Sequence, residues 1–167
     1  MIYDASVPVF IHFLNGLAAL LRKAEAHVQA KKLDPNAFLL ARLFPDMFTF
    51  TKQVQLACDF AKGTSARLAG ATAPSHPDDE KSFDELHDRI RKTIDFLRSL
   101  NKQQFGEAAE RAVTFKAGGK DLTVKGAQYL SSVGLPNFYF HVTTAYGLLR
   151  HNGVEIGKGD FLARDLS

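Results

Sequence analysis

The chain is predicted to fold as an all-α protein, a four-helix bundle with a small β-hairpin inserted before the last helix. Apolar residues recur at steps of three and four through four long segments, the spacing that places them on one helical face. One short region, residues 113–124, instead alternates apolar and polar residues around a Gly-Gly turn. With 167 residues the chain has the length of one domain, so we predict a single domain over residues 1–167.

The first helix is predicted to begin at Ser6-Val7-Pro8 and to end at Lys31-Lys32. Serine suits the cap, proline is tolerated in a first helical turn, and lysines favour the carbonyl end of a helix. Its apolar face consists of Val7, Phe10, Leu14, Leu17, Leu21, Ala24 and Val28. A short helical or turn segment should follow, from Asp34-Pro35-Asn36 through Leu40.

The second helix is predicted to begin at Pro45-Asp46, because an acidic side chain is favoured at a helix N-terminus, and to end at Ala69-Gly70. Residues 70–81 have the composition of an exposed connection. The third helix begins with a capping box at Ser82–Glu85 and runs to Leu100; Arg89 and Arg91 lie off its apolar face and are predicted to face solvent. The long connection leaves both up-and-down and crossover topologies open.

The hairpin is predicted to pair residues 113–116 with 122–124 and to lead into a first helical piece, followed by a break at Gly134-Leu-Pro136. The last helix then lies between Pro136 and Asn152-Gly153, since proline suits a first turn and Asn-Gly a left-handed end. The apolar residues of the tail, 156–162, should pack back on the bundle.

A polar row runs beside the apolar face of the last helix, and polar groups at the edge of a buried face are suited to a small-molecule cleft. The row comprises Asn137, His141, Thr144, Leu148 and His151. Gln53 lies on the flank of the second helix, in a mixed row with Asp46, Thr49 and Phe60. The candidate pocket residues are therefore Gln53, Asn137, His141 and Thr144.

The composition and charge of the chain argue against several classes of function. The chain is 46% hydrophobic and 23% charged, and its net charge of +3 comes from scattered lysines and arginines, which does not favour nucleic-acid binding. The single cysteine, Cys58, is predicted to lie in the core and fits a reducing compartment, so we expect a cytoplasmic protein. The apolar run Val7–Leu21 carries His12, Asn15 and Gly16, which indicates neither a membrane span nor a signal peptide.

Several phrases of the chain resemble an uncharacterised bacterial family of unknown function that is grouped with the DinB-like four-helix bundles. These phrases are Tyr3–Phe10, Pro45–Phe48, Gln53–Asp59, Leu135–His141 and Arg150–Gly153. The resemblance spans almost the whole chain and implies a helical bundle that is often a homodimer.

The same resemblance implies a divalent metal held by three histidines, one from the second helix and two, four residues apart, from the last. His141 is similar in position to the later histidine of that pair, but Asn137 stands where the earlier one would be. The second helix offers Asp46 or Gln53 in place of a histidine. Neutral amides are poor ligands for zinc or nickel, so the candidate metal ligands are His141, Asp46 and His151.

Two functions remain open at this point. The chain is either a small-ligand-binding or structural dimeric module with a polar row around His141, or a divalent-metal-dependent transferase or hydrolase. In the second case His141 with Asp46, and His151 as a further candidate, would hold an ion that activates a thiol or water.

Overall fold

The computed structural model describes residues 1–164, which are mostly helical with one two-stranded antiparallel hairpin. In chain order the elements are α1 (Val7–Lys31), α2 (Pro35–Leu39), α3 (Phe50–Ala69), α4 (Phe83–Ser99), β1 (Ala112–Ala117), β2 (Lys120–Lys125), α5 (Gly126–Tyr129), α6 (Leu135–His151) and α7 (Lys158–Phe161). A 3-10 turn at Lys102–Phe105 precedes the hairpin, and a π-helical turn at Leu130–Gly134 joins α5 to α6. The predicted single domain extends to residue 167, and residues 165–167 lie outside the described part.

Helix α1 has the predicted bounds and is central to the core. Lys32 ends it in the left-handed conformation, at φ 52°. Its apolar face packs against α3, α4, α6 and α7. Within residues 1–164 it is the one helix that is long and apolar enough to cross a membrane, but a core helix meets the same criteria, and α1 lies in the core.

Helix α3 begins later than predicted. Residues 41–49 form turns and bends, and Thr49 is the cap, its hydroxyl accepting a hydrogen bond from the Lys52 amide at 3.3 Å. Pro45-Asp46 therefore belongs to an exposed turn, because the extended backbone of Thr49 sets the helix start. The predicted end is confirmed, with Gly70 at φ 68°. Cys58 is fully buried, and burial raises the pKa of its thiol to about 12.

Helix α4 begins as predicted, but only half of the capping box forms. The Ser82 hydroxyl accepts from the Glu85 amide at 3.2 Å, whereas the Glu85 carboxylate accepts from the Lys81 amide. The prediction that Arg89 faces solvent is wrong, since its side chain is only 1% exposed. Arg89 Nη1 donates to the Pro77 carbonyl at 2.9 Å, which fixes the connection 70–81 against the helix.

The hairpin forms in the predicted place, with Val113 opposite Val124 and Phe115 opposite Leu122. No break follows it, because Gly134 has helical dihedral angles (φ −62°, ψ −60°) and the π-helical turn continues directly into α6. Helix α6 ends at His151 as predicted. The tail packs back as expected: the Phe161 ring contacts the rings of Phe13 and Tyr146 at 5.6 and 5.8 Å.

Candidate functional site

A buried hydrogen bond joins α6 to the first turn of α3. His141 Nδ1 lies 2.7 Å from Gln53 Oε1. Gln53 Nε2 donates to the Phe48 carbonyl at 3.4 Å, an interaction that turns the amide oxygen toward the histidine. His141 Nδ1 therefore carries the proton and donates, and Nε2 keeps its lone pair.

The imidazole of His141 is neutral in the folded protein. Burial, together with the charge of Lys52, lowers the pKa of His141 to about 4. In residues 1–164 its Nε2 makes no hydrogen bond. A neutral imidazole with this pKa can accept a hydrogen bond but is a weak base at neutral pH.

The His141 ring stacks on Phe60, with ring centroids 5.5 Å apart and an interplanar angle of 21°. Phe60 in turn forms part of the wall of a cleft of about 590 Å³. Helix α3, strand β1, α5, the π-helical turn and the start of α6 contribute to this cleft. Its principal side chains are Phe60, Arg67, Phe115, Lys116, Tyr129 and Asn137.

The four predicted pocket residues have different positions in the structure. Asn137 lines the cleft, and its Nδ2 donates to the Val133 carbonyl at 2.7 Å. Gln53 and His141 form the pair behind Phe60. Thr144 donates its hydroxyl to the Phe140 carbonyl of its own helix at 2.7 Å, so this hydroxyl is already bonded to backbone.

Comparison with known proteins now identifies the family. Residues 2–162 match the family model described as Domain of unknown function (DUF1993). The chain belongs to this family. The DUF1993 chain is also similar to the crystal structure of a DinB family member protein from Shewanella denitrificans, with 42% sequence identity and a TM-score of 0.89 over 97% of this chain and 92% of that one. Among curated proteins, nothing matches the chain significantly.

The DUF1993 chain does not gather the predicted metal ligands. Asp46 is exposed in the turn before α3, and His151 is exposed at the last residue of α6. His141 and His151 are ten positions apart in sequence, which corresponds to about 15 Å along a helix. Within residues 1–164 no group of three or more His, Cys, Asp or Glu side chains is placed to hold a metal ion.

Sequence reasoning missed the hairpin side of the cleft in this DUF1993 chain. Phe115 and Lys116 reach the cleft because β1 packs on α5, where the Phe115 ring contacts the Tyr129 ring, and no local pattern encodes this packing. Phe60 was placed in the row of Gln53, seven residues earlier on the same face of α3, but it was not among the predicted pocket residues.

A second cavity, of about 380 Å³, lies beside α4 and is lined by His76, Glu80 and Arg89. Glu80 and Arg89 already bind each other, at 2.8 Å. Its lining consists mostly of charged side chains, so this cavity lacks the apolar walls of a small-molecule site and is less suited to an organic ligand than the aromatic cleft.

Proposed function

We propose that this DUF1993 protein binds a small organic molecule in the cleft formed by α3, β1 and the start of α6. The observation that carries the proposal is the cleft itself: three aromatic rings, Phe60, Phe115 and Tyr129, line an open cleft of about 590 Å³ together with four polar or charged side chains. Small-molecule sites have volumes of this order and the same mixture of apolar walls and sparse polar contacts.

The Gln53–His141 pair has a positioning role in this proposal. His141 supports the ring of Phe60 by stacking, and Gln53 holds the imidazole in one tautomer and one orientation. A wall residue with a fixed ring loses less conformational entropy when a ligand binds, so the pair favours binding without touching the ligand.

A screen of diverse metabolites by thermal shift, followed by calorimetric titration of the hits, tests the proposal. Val133→Phe adds volume inside the cleft and should abolish binding, while Asn137→Ala removes a polar group from its wall and should weaken it. Thr144→Val is the control, since this hydroxyl bonds its own helix. Hits that bind the Val133→Phe protein as tightly as the wild type would place the ligand elsewhere and refute the proposal.

The proposal also includes a DinB-like four-helix bundle that forms a homodimer in the cytoplasm. In its support, α1 and α3 each contact the other three of the four longest helices, α1, α3, α4 and α6. Exposed large apolar side chains are concentrated in the segment before α3. These side chains are Leu40, Leu43, Phe44 and Phe48. Sedimentation equilibrium should give a dimer for the wild type and a monomer for Phe44→Ser/Phe48→Ser; a monomeric wild type would refute the dimer.

The metal-dependent transferase or hydrolase has less support. The neighbours of His141 are an amide, Gln53, and two phenyl rings, Phe60 and Phe140, which are not ligands for zinc or nickel. Elemental analysis of untagged protein tests it directly. A stoichiometric metal that is lost in His141→Ala would favour this alternative over a metal-free cleft.

A further inference from the structure

Three aromatic rings line the cleft. The rings of Phe115 and Tyr129 pack against each other with centroids 5.1 Å apart, and Phe60 is held by its stack with His141. Aliphatic side chains of Leu56 and Val133 complete the apolar lining. Rings held in this way offer flat faces on which a planar ligand can stack.

Two cations of the cleft have no carboxylate partner. Arg67 lies over the Tyr129 ring, with its guanidinium carbon 5.9 Å from the ring centroid, and Lys116 follows Phe115 on β1. In the part of the chain that the structure describes, neither of them forms a salt bridge. Asp121 lies opposite Lys116 in the hairpin register but forms no salt bridge with it, so the positive charge of both cations is available to a ligand.

Among residues 1–164, Asp59 is the one carboxylate that lines the cleft, and it does not neutralise these cations. Its Oδ1 lies 2.9 Å from Arg89 Nη2 and 2.9 Å from Lys62 Nζ, on the side of α4. That network is balanced within itself. It contains the cations Lys52, Lys62 and Arg89 and the carboxylates Asp59, Asp78 and Glu80. The cleft is consequently cationic as well as aromatic.

Two further polar groups in the cleft are free to bind a ligand. Within residues 1–164 the Tyr129 hydroxyl makes no hydrogen bond, and Asn137 uses its Nδ2 but not its Oδ1. A phenol can donate to an anion, and such charge-assisted hydrogen bonds are the stronger kind.

We infer that the ligand of this cleft is a flat aromatic molecule that carries an anionic group, an aromatic carboxylate in its simplest form. Its ring stacks among Phe60, Phe115 and Tyr129, and its anion lies against Arg67 and Lys116. The inference rests on the proposed binding function and names the chemical class that this site selects.

Four probes of similar size separate ring from charge: naphthoate, naphthalenemethanol, naphthylmethylammonium and decahydronaphthalenecarboxylate. Titration calorimetry at neutral pH should show the tightest binding for naphthoate, weaker binding for the alcohol and the aliphatic acid, and the weakest for the ammonium compound. Raising the salt concentration should weaken the binding of naphthoate and leave the binding of the alcohol unchanged, because salt screens charge–charge attraction but not ring stacking.

Charge-removing variants test the two cations. Arg67→Gln and Lys116→Gln should each lower the affinity for naphthoate about 2- to 5-fold, the range for exposed ion pairs. The double variant should lower it roughly 10-fold. Arg150→Gln and Lys120→Gln are the matched controls, because they lower the net charge equally at exposed sites that do not line the cleft. Binding of naphthalenemethanol should be unchanged in all of them.

The possible failures are distinguishable. If the alcohol and the ammonium compound bind as tightly as naphthoate, or the cleft variants behave like the controls, the anionic class is wrong and the binding cleft stands. If none of the four probes binds the wild type, the anionic-aromatic class is overturned, and the metabolite screen then decides whether the cleft binds any other molecule.

Discussion

At the scale of single residues, Gln53 is the polar side chain whose loss isolates the buried histidine. In Gln53→Leu the His141 Nδ1–H loses its acceptor, and a buried donor without a partner costs about 1–3 kcal/mol of the free energy of unfolding. Urea denaturation measures this loss. Thr144→Val on the same helix as His141 should cost less, since its hydroxyl only duplicates a backbone interaction. Equal losses in the two variants would contradict the role assigned to Gln53.

Arg89 gives a second residue-scale prediction, because its guanidinium is buried against three carboxylates. Arg89→Leu removes the cation that all three carboxylates share and leaves Glu80, whose side chain is only 9% exposed, without a salt bridge, although Lys62 and Lys52 still pair with Asp59 and Asp78. It should lower the free energy of unfolding by about 3–5 kcal/mol. Arg91→Leu provides the control two residues later on α4. Its pair with Asp88 is exposed on both sides, and such pairs contribute less than about 1 kcal/mol. Similar denaturation midpoints for the two variants would refute the difference.

At the scale of elements, the contact between α3 and the π-helical turn depends on a glycine. A Cβ at Gly134 would lie 2.5 Å from Thr64 Cγ2. Gly134→Ala therefore forces the π-helical turn away from α3 and should lower the free energy of unfolding by about 1–3 kcal/mol. A Cβ at Gly147 on α6 would have no atom within 4 Å. Gly147→Ala should therefore raise the free energy of unfolding by about 0.5–1 kcal/mol, because alanine has the higher helix propensity. Thermal unfolding checks both, and Thr64→Ala should restore part of the loss in Gly134→Ala.

The elements were largely predictable from local patterns, whereas their contacts were not. The Gly70 and Gly153 ends, the Ser82 start and the Gly-Gly turn follow from backbone preferences that act within a few residues. The start of α3 was misplaced because Pro45-Asp46 and Thr49 are both acceptable starts, and packing decides between them. Arg89 was assigned to solvent because its burial depends on carboxylates from α3 and from the connection, far apart in sequence.

The candidate site shows the same limit. His141 and Gln53 were each singled out from helical position, but their hydrogen bond joins residues 88 apart in sequence and required the structure. The hairpin's contribution to the cleft, through Phe115 and Lys116, has no counterpart in any local motif. Local spacing therefore identified polar residues near the site and missed the cleft's aromatic and cationic lining.

At the scale of the whole molecule, α3 lies between two polar arrangements of different character. Asp59 faces the ion-paired network with α4, and the next residue, Phe60, faces the His141 stack with α6. The first is charged and balanced, while the second is neutral. The second arrangement should therefore be sensitive to mild acid, because a histidine in an unfolded chain binds a proton near pH 6.5, whereas the buried imidazole does not.

The pH dependence of stability follows from that neutrality. His141 has a pKa of about 4 in the folded protein against an ordinary value of 6.5, so between these values the unfolded chain binds more protons than the folded one. The contribution of the neutral His141 to the free energy of unfolding is therefore fully present above about pH 6.5. It is lost as the pH falls toward 4, and the total loss is roughly 3 kcal/mol. Urea denaturation across this range measures it. Because His76 and His87 also have lowered pKa values through burial, the reference is His141→Gln, whose stability should fall less steeply. Parallel pH profiles of the two proteins would show that His141 does not remain neutral in the fold.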